Sequence, residues 1–302
     1  MSLLERPLTR YLVRFMYLLA GRKWRHAQAW TPGLTLEMPT TETRDGSIRY
    51  RGRHVASLAF WTVLAEPTPT SVFVVASGPS IAGCDMSRVP DRTAIVVNGA
   101  IHLIGEEVRE PLAVAIEDER FVWRHIDLMR EKITREIPCL LSVSVIRALC
   151  EIDCDWLTDR KIVLIDDVVK PYGSPRRSLE DLSGVSWLVS DPKTQAFVSL
   201  NPALGLVQAG SVAISAFQMA LALRPSIIGV FGVDLKNADE PRFYETKKSM
   251  AKSGIARAKD KIAAHFALAK NVAEENGIRV ECYSPASSLL EFGFAYSDRF
   301  AK

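Results

Sequence analysis

Short apolar segments that alternate with helical patterns dominate the chain from residue 71 onward. These segments are four or five residues long, mostly β-branched, and end at small or polar residues. They cover residues 72–76, 94–97, 112–116, 162–165 and 227–231, and a last strand is predicted at residues 279–283. Such runs are typical of parallel strands buried on both faces. Helical periodicity separates them, as at residues 121–132, 212–223 and 257–275. The alternation predicts an α/β fold: a Rossmann-like, mostly parallel sheet with helices on both faces.

The N-terminal segment follows a different pattern. Apolar residues recur at helical spacing over residues 4–19, and Arg6, Arg10 and Arg14 form a stripe beside them. A basic amphipathic helix of this kind can lie in a membrane interface, with apolar side chains among lipid tails and arginines among anionic headgroups. Packing of this helix on the domain, or on a second subunit of a homo-oligomer, is the alternative.

Two units are therefore expected, residues 1–70 and the α/β domain at residues 71–302. Residues 30–70, rich in Pro, Thr and Arg, are predicted to be a connector with one short strand or helix around residues 55–64. Residues 166–206 are rich in Pro, Ser and Gly and lack clear periodicity. We expect this segment to be a lid-like insertion over the ligand site.

Composition and charge exclude several classes of protein. The net charge of +3 does not favour nucleic-acid binding. The five cysteines are scattered, and Cys150 and Cys154 have no matching second pair, so reduced thiols in the cytoplasm are expected rather than a zinc site. Arginines interrupt the apolar N-terminus, which argues against a signal peptide. No apolar run approaches the roughly 20 residues that span a bilayer.

Polar residues or glycines follow five of the predicted strands. In open α/β sheets, ligands bind beyond the carboxyl ends of the strands. The five groups are Ser77, Gly78 and Ser80; Asn98; Glu117 and Asp118; Gly232 and Asp234; and Ser284 and Pro285. Each group alone is more often a plain turn. Together, at one edge of a sheet, they predict a ligand site.

Two further features indicate that the ligand is an anion. Gly210 and Ser211 precede the helix predicted from residue 212, where free N–H groups and the helix dipole favour an anion. Lys236, Arg242 and Tyr244 cluster after another strand, and cations there suit a phosphate or a carboxylate. A plain Ser N-cap and solvated charge are the alternatives. The P-loop, the dinucleotide fingerprint and the G-x-S-x-G elbow are all absent from the sequence.

The segments "ASGPS", "VVNGAI", "GVDLKNADEPRFYETKK" and "CYSPASSL", in this order and spacing, resemble the lipopolysaccharide-core Kdo transferase family. Those enzymes transfer 3-deoxy-D-manno-oct-2-ulosonic acid (Kdo) from CMP-Kdo onto the inner core. The chain is more distantly similar to the bacterial sialyltransferases that use CMP-sialic acid. The resemblance covers roughly residues 71–127 and 205–292.

The resemblance implies a role for each matching group. Ser77, Gly78 and Ser80 would line the nucleotide pocket, Asn98 would contact the nucleotide or donor sugar, Gly210 and Ser211 would hold the phosphate, and Ser284 and Pro285 would flank the cytosine. Two departures stand out. Lys236 and Arg242 replace the two tyrosines that hold the phosphate in the sialyltransferases, and the histidine base of those enzymes has no counterpart.

The transfer reaction needs charge stabilisation at the phosphate and a base for the acceptor hydroxyl. Ser211, Arg242 and Lys236 could stabilise the phosphate without a metal or another cofactor. Asp118 is narrowly favoured as the base over Asp234, which could instead bond loop amides, and Glu117 is a third candidate. The expected acceptor is a lipid-linked saccharide. This acceptor favours a cytoplasmic enzyme that associates peripherally with the inner membrane through its N-terminal helix.

Two alternatives stay open. One is a related enzyme on a similar scaffold, either a sialic-acid-type transferase or a pterin pyrophosphokinase-like protein. The other is a non-catalytic protein that binds nucleotides or glycans.

Overall fold

One eleven-stranded sheet organises the residues that the computed structural model describes, which are 6–235, 241–245 and 255–302. The strands in chain order are β1 (Leu34–Glu37), β2 (Asp45–Tyr50), β3 (Arg53–Ala59), β4 (Ser71–Val75), β5 (Ala94–Val97), β6 (Ala113–Ile116), β7 (Cys139–Ser142), β8 (Ile162–Ile165), β9 (Leu188–Asp191), β10 (Ala196–Ser199), β11 (Ile227–Phe231), β12 (Arg279–Cys282) and β13 (Ala295–Tyr296). The helices are α1 (Leu8–Leu19), α2 (Glu119–Lys132), α3 (Val143–Ile152), α4 (Leu179–Leu182), α5 (Val212–Ala222) and α6 (Ile255–Glu275).

The strand order is β1-β2-β3-β8-β7-β6-β5-β4-β11-β12-β13, and every pairing from β3 to β13 is parallel. From β4 the chain steps in one direction through β8, and then returns to place β11 and β12 on the other side of β4. The order therefore reverses between β4 and β11, which is where such sheets form a crevice. The predicted Rossmann-like α/β fold is confirmed.

Each face of the sheet is covered by helices and by its own apolar core. Phe73 and Val75 of β4 pack on the side of α2 and α3. Val72 and Val74 of the same strand pack on the side of α5 and α6. Both faces of these strands are buried, which explains why the strands appear in the sequence as continuous apolar runs.

The segment predicted to be a connector with one short strand or helix contains three strands. β1, β2 and β3 form an antiparallel meander that joins the parallel sheet where Leu58 pairs with Ile162. Alternate residues of β2 and β3 are exposed, so one face of the meander meets solvent. Arg49 and Arg53 occupy exposed positions of these strands. Because such charged residues interrupt the apolar positions, the sequence of β2 and β3 does not look like a strand pattern. β7 and α3 were also absent from the sequence prediction.

The insertion at residues 166–206 packs on the domain through its own small core. β9 and β10 form a separate two-stranded sheet, and Leu182, Leu188 and Phe197 are buried together. The buried Gln218 of α5 fixes this unit, because its Oε1 accepts from the backbone N–H of Ser199 at 2.8 Å. The start of the insertion borders the cavity described below.

Helix α1 packs on the protein through its arginine stripe, whereas the sequence predicted arginines among lipid headgroups or at a solvated edge. Arg10 is buried, and its guanidinium donates to the carbonyl oxygens of Thr31 at 2.5 Å and Gln28 at 2.7 Å. The apolar side chains instead face solvent, with Leu12 and Phe15 each 61 % exposed. The arginine stripe thus holds the helix to the protein because the backbone carbonyls around residues 28–31 and a buried carboxylate pair with it. No described helix combines the length and the apolar character needed to cross a membrane.

Candidate functional site

A cavity of about 580 Å³ lies at the carboxyl ends of four adjacent parallel strands. Asn98 follows β5, Glu117 follows β6, Ser142 ends β7 and Asp166 follows β8, and all four line the cavity. Parallel strands deliver their carboxyl ends to one edge of the sheet, which brings together residues that are far apart in sequence. The cavity lies on the β8 side of the topological switch point.

Cationic side chains dominate the charge of this cavity. Among the described residues, its lining includes Arg6, Arg14, Arg120, Arg124, Lys170, Arg242 and Lys261. The carboxylates that line it are Glu117, Asp118, Glu119, Asp166 and Asp167. Two of these carboxyls, Glu117 and Asp166, have raised pKa values. A cavity of this charge suits an anionic ligand, and guanidinium groups suit phosphate or carboxylate oxygens in particular.

Glu117 has the properties of a proton acceptor that works near neutral pH. Burial raises its pKa to about 7, and the neighbouring Asp167 adds to the rise while Ser215 opposes it. Its Oε1 atom is buried and has no hydrogen-bond partner among the described residues. A base is most effective when its pKa lies near the working pH.

Asp118 has a different environment, although it is the next residue in the chain. It is the N-cap of α2, and its carboxylate accepts from the backbone N–H of Arg120 at 2.9 Å and from Nε of Arg120 at 2.7 Å. Burial favours a higher pKa, but these bonds and the positive charges of Arg120 and Arg6 outweigh burial and lower the pKa of Asp118. A carboxylate held this way is a weak base.

Two other titratable groups share the cavity. Burial raises the pKa of Asp166 to about 6, against the opposing effect of a hydrogen bond from the backbone N–H of Tyr172. Burial lowers the pKa of His125 to about 4, and the positive charges of His102, Arg124 and Arg242 contribute. His125 is therefore neutral at neutral pH, whereas Asp166 is mostly ionised.

The N-terminus of α5 opens into the cavity. Gly210, Ser211 and Val212 line it, and Ser211 caps the helix by accepting from the backbone N–H of Ala213 at 3.3 Å. Gly210 has φ of +96°, and a Cβ there would approach the Cβ of Ala258 to 3.0 Å. Glycine therefore lets the chain turn tightly into the helix while leaving its first N–H groups accessible to an anion.

Asn98 also has an unusual backbone conformation, with φ of +46°. Its Oδ1 atom is buried and has no hydrogen-bond partner among the described residues. Buried polar atoms are nearly always paired, so one that lines a cavity indicates a place where a ligand can complete the bonding.

Arg242 reaches the cavity from the segment after β11. Its Nη1 donates to the hydroxyl of Tyr244 at 3.0 Å and lies 3.6 Å from Oε1 of Glu245. The Tyr244 ring stacks on His102 with 4.4 Å between ring centroids. Tyr244 therefore orients Arg242 and does not itself line the cavity. Lys236 lies outside the described residues.

The groups predicted after β4, β11 and β12 form a separate, closed network at the switch point. The carboxylate of Asp234 accepts from the backbone N–H of Ser80 at 2.8 Å and from its hydroxyl at 2.7 Å. Ser284 Oγ lies 2.8 Å from Ser80 Oγ and accepts from the N–H of Gly232 at 3.0 Å. Asp234 is buried and satisfied. The network connects the ends of β4, β11 and β12 and does not border the cavity. Pro285, beside the network, is exposed.

The cavity thus contains only some of the predicted site residues. Asn98, Asp118, Gly210, Ser211 and Arg242 line it, as does the third candidate base, Glu117. Ser77, Gly78, Ser80, Gly232, Asp234, Tyr244, Ser284 and Pro285 lie outside its lining.

Sequence reasoning missed Ser142, Asp166 and Lys261. Ser142 ends β7 and Asp166 follows β8, and recognising the run at residues 139–142 as a strand would have found Ser142. Lys261 lies on α6 and has no local signal, because only the packing of α6 brings it to the cavity.

Glu119 links α1 to this site. It is the first residue of α2 and is buried, and its carboxylate pairs with the guanidinium groups of Arg6 and Arg147. Arg10 lies 3.7 Å and Arg14 3.9 Å from the same carboxylate. Arg6 and Arg14 of the arginine stripe therefore form part of the cavity wall.

Comparison with models of protein families, with curated proteins and with solved structures found no match to this chain. Among the described residues, no cluster of His, Cys, Asp and Glu is arranged to hold a metal ion.

Proposed function

We propose that the chain is a glycosyltransferase that transfers Kdo from CMP-Kdo to a lipid-linked saccharide of the lipopolysaccharide inner core. The observation that carries this function is one cavity that contains a carboxyl group of near-neutral pKa, a helix N-terminus and several guanidinium groups. The sequence resemblance to the Kdo transferases supplies the identity of the donor.

The donor carries two negative groups, the phosphate and the sugar carboxylate. In this mechanism the phosphate binds at Gly210 and Ser211, where the α5 dipole favours negative charge, and Arg242 pairs with the phosphate or the donor carboxylate. As the bond between the anomeric carbon and the phosphate oxygen breaks, the bonding electrons leave with CMP. Fixed donors at the phosphate stabilise the charge that develops there. The Oδ1 atom of Asn98 accepts a hydrogen bond from the nucleotide or the sugar.

Glu117, rather than Asp118, is the base in this mechanism. The acceptor hydroxyl oxygen attacks the anomeric carbon, and its proton passes to the Glu117 carboxylate. Asp118 is occupied by the N-cap and by Arg120, and Asp234 lies outside the cavity lining. Tyr244 acts indirectly, by orienting Arg242.

The acceptor is anchored in lipid, so the enzyme works at the cytoplasmic face of the inner membrane and associates with it peripherally. Its reaction needs neither a metal nor another cofactor, because the cationic side chains neutralise the phosphate.

Donor specificity is tested with the purified chain. Calorimetry should show tighter binding of CMP than of AMP, GMP or UMP, and CMP should be released from CMP-Kdo in the presence of a lipid-linked acceptor. Faster turnover with CMP-sialic acid would reassign the donor. Binding of CMP without turnover of either donor would favour a non-catalytic binding protein, and the absence of any CMP preference would overturn the assignment.

The base is tested by three matched substitutions, Glu117→Gln, Asp118→Asn and Asp234→Asn. Loss of a general base lowers turnover by about 10²–10⁴-fold. We expect this loss for Glu117→Gln, with CMP affinity changed only a few fold. The other two variants should retain transfer in proportion to their folded fraction. Normal transfer by Glu117→Gln together with a large loss in Asp118→Asn would return the role to Asp118.

A further inference from the structure

Helix α1 exposes its apolar face, which is the reverse of what a surface helix in a soluble monomer does. Leu8, Leu12, Phe15, Met16 and Leu19 are between 59 and 80 % exposed. They recur at helical spacing and form one continuous face, with Tyr11 and Leu18 at its border. A contiguous apolar patch of this kind marks an interaction surface.

The opposite face of α1 explains why the helix keeps this orientation. Arg10 bonds the carbonyls of Thr31 and Gln28, the Tyr17 hydroxyl lies 2.9 Å from Thr31 Oγ1, and Arg6 pairs with Glu119. Each of these contacts is polar and directed inward. Turning the helix over would bury the apolar residues but would leave the buried Glu119 without these cations.

Cationic side chains continue directly after the apolar face. Arg22, Lys23 and Arg25 are exposed, Trp24 between them is 40 % exposed, and the backbone N–H of Arg176 donates to the Lys23 carbonyl. Residues 6–30 contain no Asp or Glu. We name Arg22, Lys23 and Arg25 the basic rim.

We infer that the apolar face of α1 and the basic rim form the docking surface for an anionic lipid bilayer. The apolar side chains enter the acyl boundary, Trp24 lies at the headgroup level, and the basic rim contacts anionic headgroups. A second copy of the chain fits less well, because it would bring the same uncompensated positive charge to the interface. The surface refines the peripheral association in the proposed function by naming the contacts and the lipid class.

Docking in this way also orients the site. The helix presents its apolar face to lipid, while its Arg14 and the preceding Arg6 line the cavity. The cavity is therefore separated from the bilayer by the thickness of one helix, within reach of a saccharide anchored in that bilayer.

Vesicle sedimentation of the full chain tests the docking surface, with no donor or acceptor present. The chain should sediment with vesicles of phosphatidylcholine mixed with phosphatidylglycerol, and much less with phosphatidylcholine alone. Replacing the basic rim by alanines should weaken binding to anionic vesicles by about fivefold per cation, since each basic residue near such a surface contributes on that scale. Raised ionic strength should have the same effect.

The apolar face is tested by the triple variant Leu12→Ser, Phe15→Ser and Leu19→Ser, which should abolish sedimentation with either vesicle. Its matched control replaces three exposed leucines of the insertion, Leu179, Leu200 and Leu204, by serine and should bind like the unaltered chain. The basic rim has its own control, alanine replacements of the exposed Arg44, Arg49 and Arg53. Circular dichroism and thermal melting establish that each variant is folded.

Two results would overturn the inference. One is sedimentation of the folded α1 triple variant equal to that of the unaltered chain. The other is a stable dimer in light scattering that the triple variant converts to monomer, with no vesicle binding by either protein. Both results are independent of catalysis, so they leave the test of the transferase assignment intact.

Discussion

Glu117 and Asp118 are neighbours in the chain but have opposite electrostatic environments. Burial raises the pKa of Glu117 from 4.5 to about 7, whereas the bonds and charge of Arg120 lower that of Asp118 despite its burial. Between pH 4.5 and 7 the folded protein retains a proton on Glu117 that the unfolded chain has released. The contribution of Glu117 to stability therefore falls as pH rises across this interval.

The two substitutions should change stability in opposite directions at pH 8. Glu117→Gln removes a buried negative charge and should raise the free energy of unfolding by up to about 3 kcal/mol, with the gain disappearing below pH 4.5. Asp118→Asn keeps a capping side chain but loses its charge pairing with Arg120. This substitution should lower the free energy of unfolding by about 1 kcal/mol. Denaturant unfolding at pH 8 and pH 5 measures both. A loss of stability in Glu117→Gln at pH 8 would contradict the raised pKa.

Arg242 should show its role through ligand binding rather than stability. One charge-assisted hydrogen bond contributes about 1.5–3 kcal/mol, so Arg242→Ala should weaken CMP binding by roughly ten- to a hundredfold. Arg242→Lys should recover part of this loss, because lysine keeps the charge but cannot form a bidentate fork. Tyr244→Phe, which removes the hydroxyl that orients Arg242, should give a smaller loss. Calorimetric affinities that are equal for all four proteins would remove Arg242 from the phosphate site.

At the scale of single elements, α2 and α1 are held together by one buried carboxylate. Glu119 pairs with two guanidiniums and lies within 4 Å of two more. Arg147 and Arg10 are almost fully buried. Glu119 supplies negative charge to both, and Glu151 pairs with Arg147 as well.

Glu119→Gln should lower the free energy of unfolding by about 3–5 kcal/mol, because it removes the buried carboxylate next to Arg10 and leaves Arg147 to pair with Glu151. Glu274→Gln is the control. It breaks the exposed pair with Lys270 and should change stability by less than about 0.5 kcal/mol. Chemical denaturation compares the two, and similar midpoints would mean that the arginine stripe is not anchored by Glu119.

The sequence contained most of the elements but not the orientation of α1. The apolar runs of β4, β5, β6, β8 and β11 were recognisable because both faces of these strands are buried. Amphipathic periodicity in α1 predicts a helix, yet it cannot tell which face turns inward, because that depends on a carboxylate more than a hundred residues away. The rule that ligands bind at strand ends found Asn98 and Glu117. It could not place Lys261 in the cavity or separate the cavity from the network around Asp234, because both depend on contacts between distant parts of the chain.

At the scale of the whole molecule, the switch point depends on two chain segments lying almost in contact. A Cβ on Gly78 would come within 2.4 Å of Asp234 Oδ2 and 2.5 Å of the Gly232 carbonyl oxygen. Gly78→Ala should therefore push the β4 and β11 loops apart and lower the free energy of unfolding by about 1–3 kcal/mol. Gly83→Ala is the matched control, because no atom lies within 4 Å of its Cβ position. Thermal melting that shows equal effects would mean that the loops can separate at no cost.

The position of β4 between β5 and β11 also has a kinetic consequence. Ser71 pairs with Ile227, roughly 150 positions further along the chain. The chain must lose the conformational entropy of closing this loop before the contacts between β4 and β11 stabilise it. During synthesis, strands β4 to β8 emerge before β11, so the β11 side of β4 still has unpaired backbone groups. An open strand of "SVFVV" is a template for pairing with other chains. The yield of folded protein should therefore depend on how quickly β11 reaches this edge. Slower elongation between β8 and β11 should lower the yield, and chaperones that shield β4 should raise it.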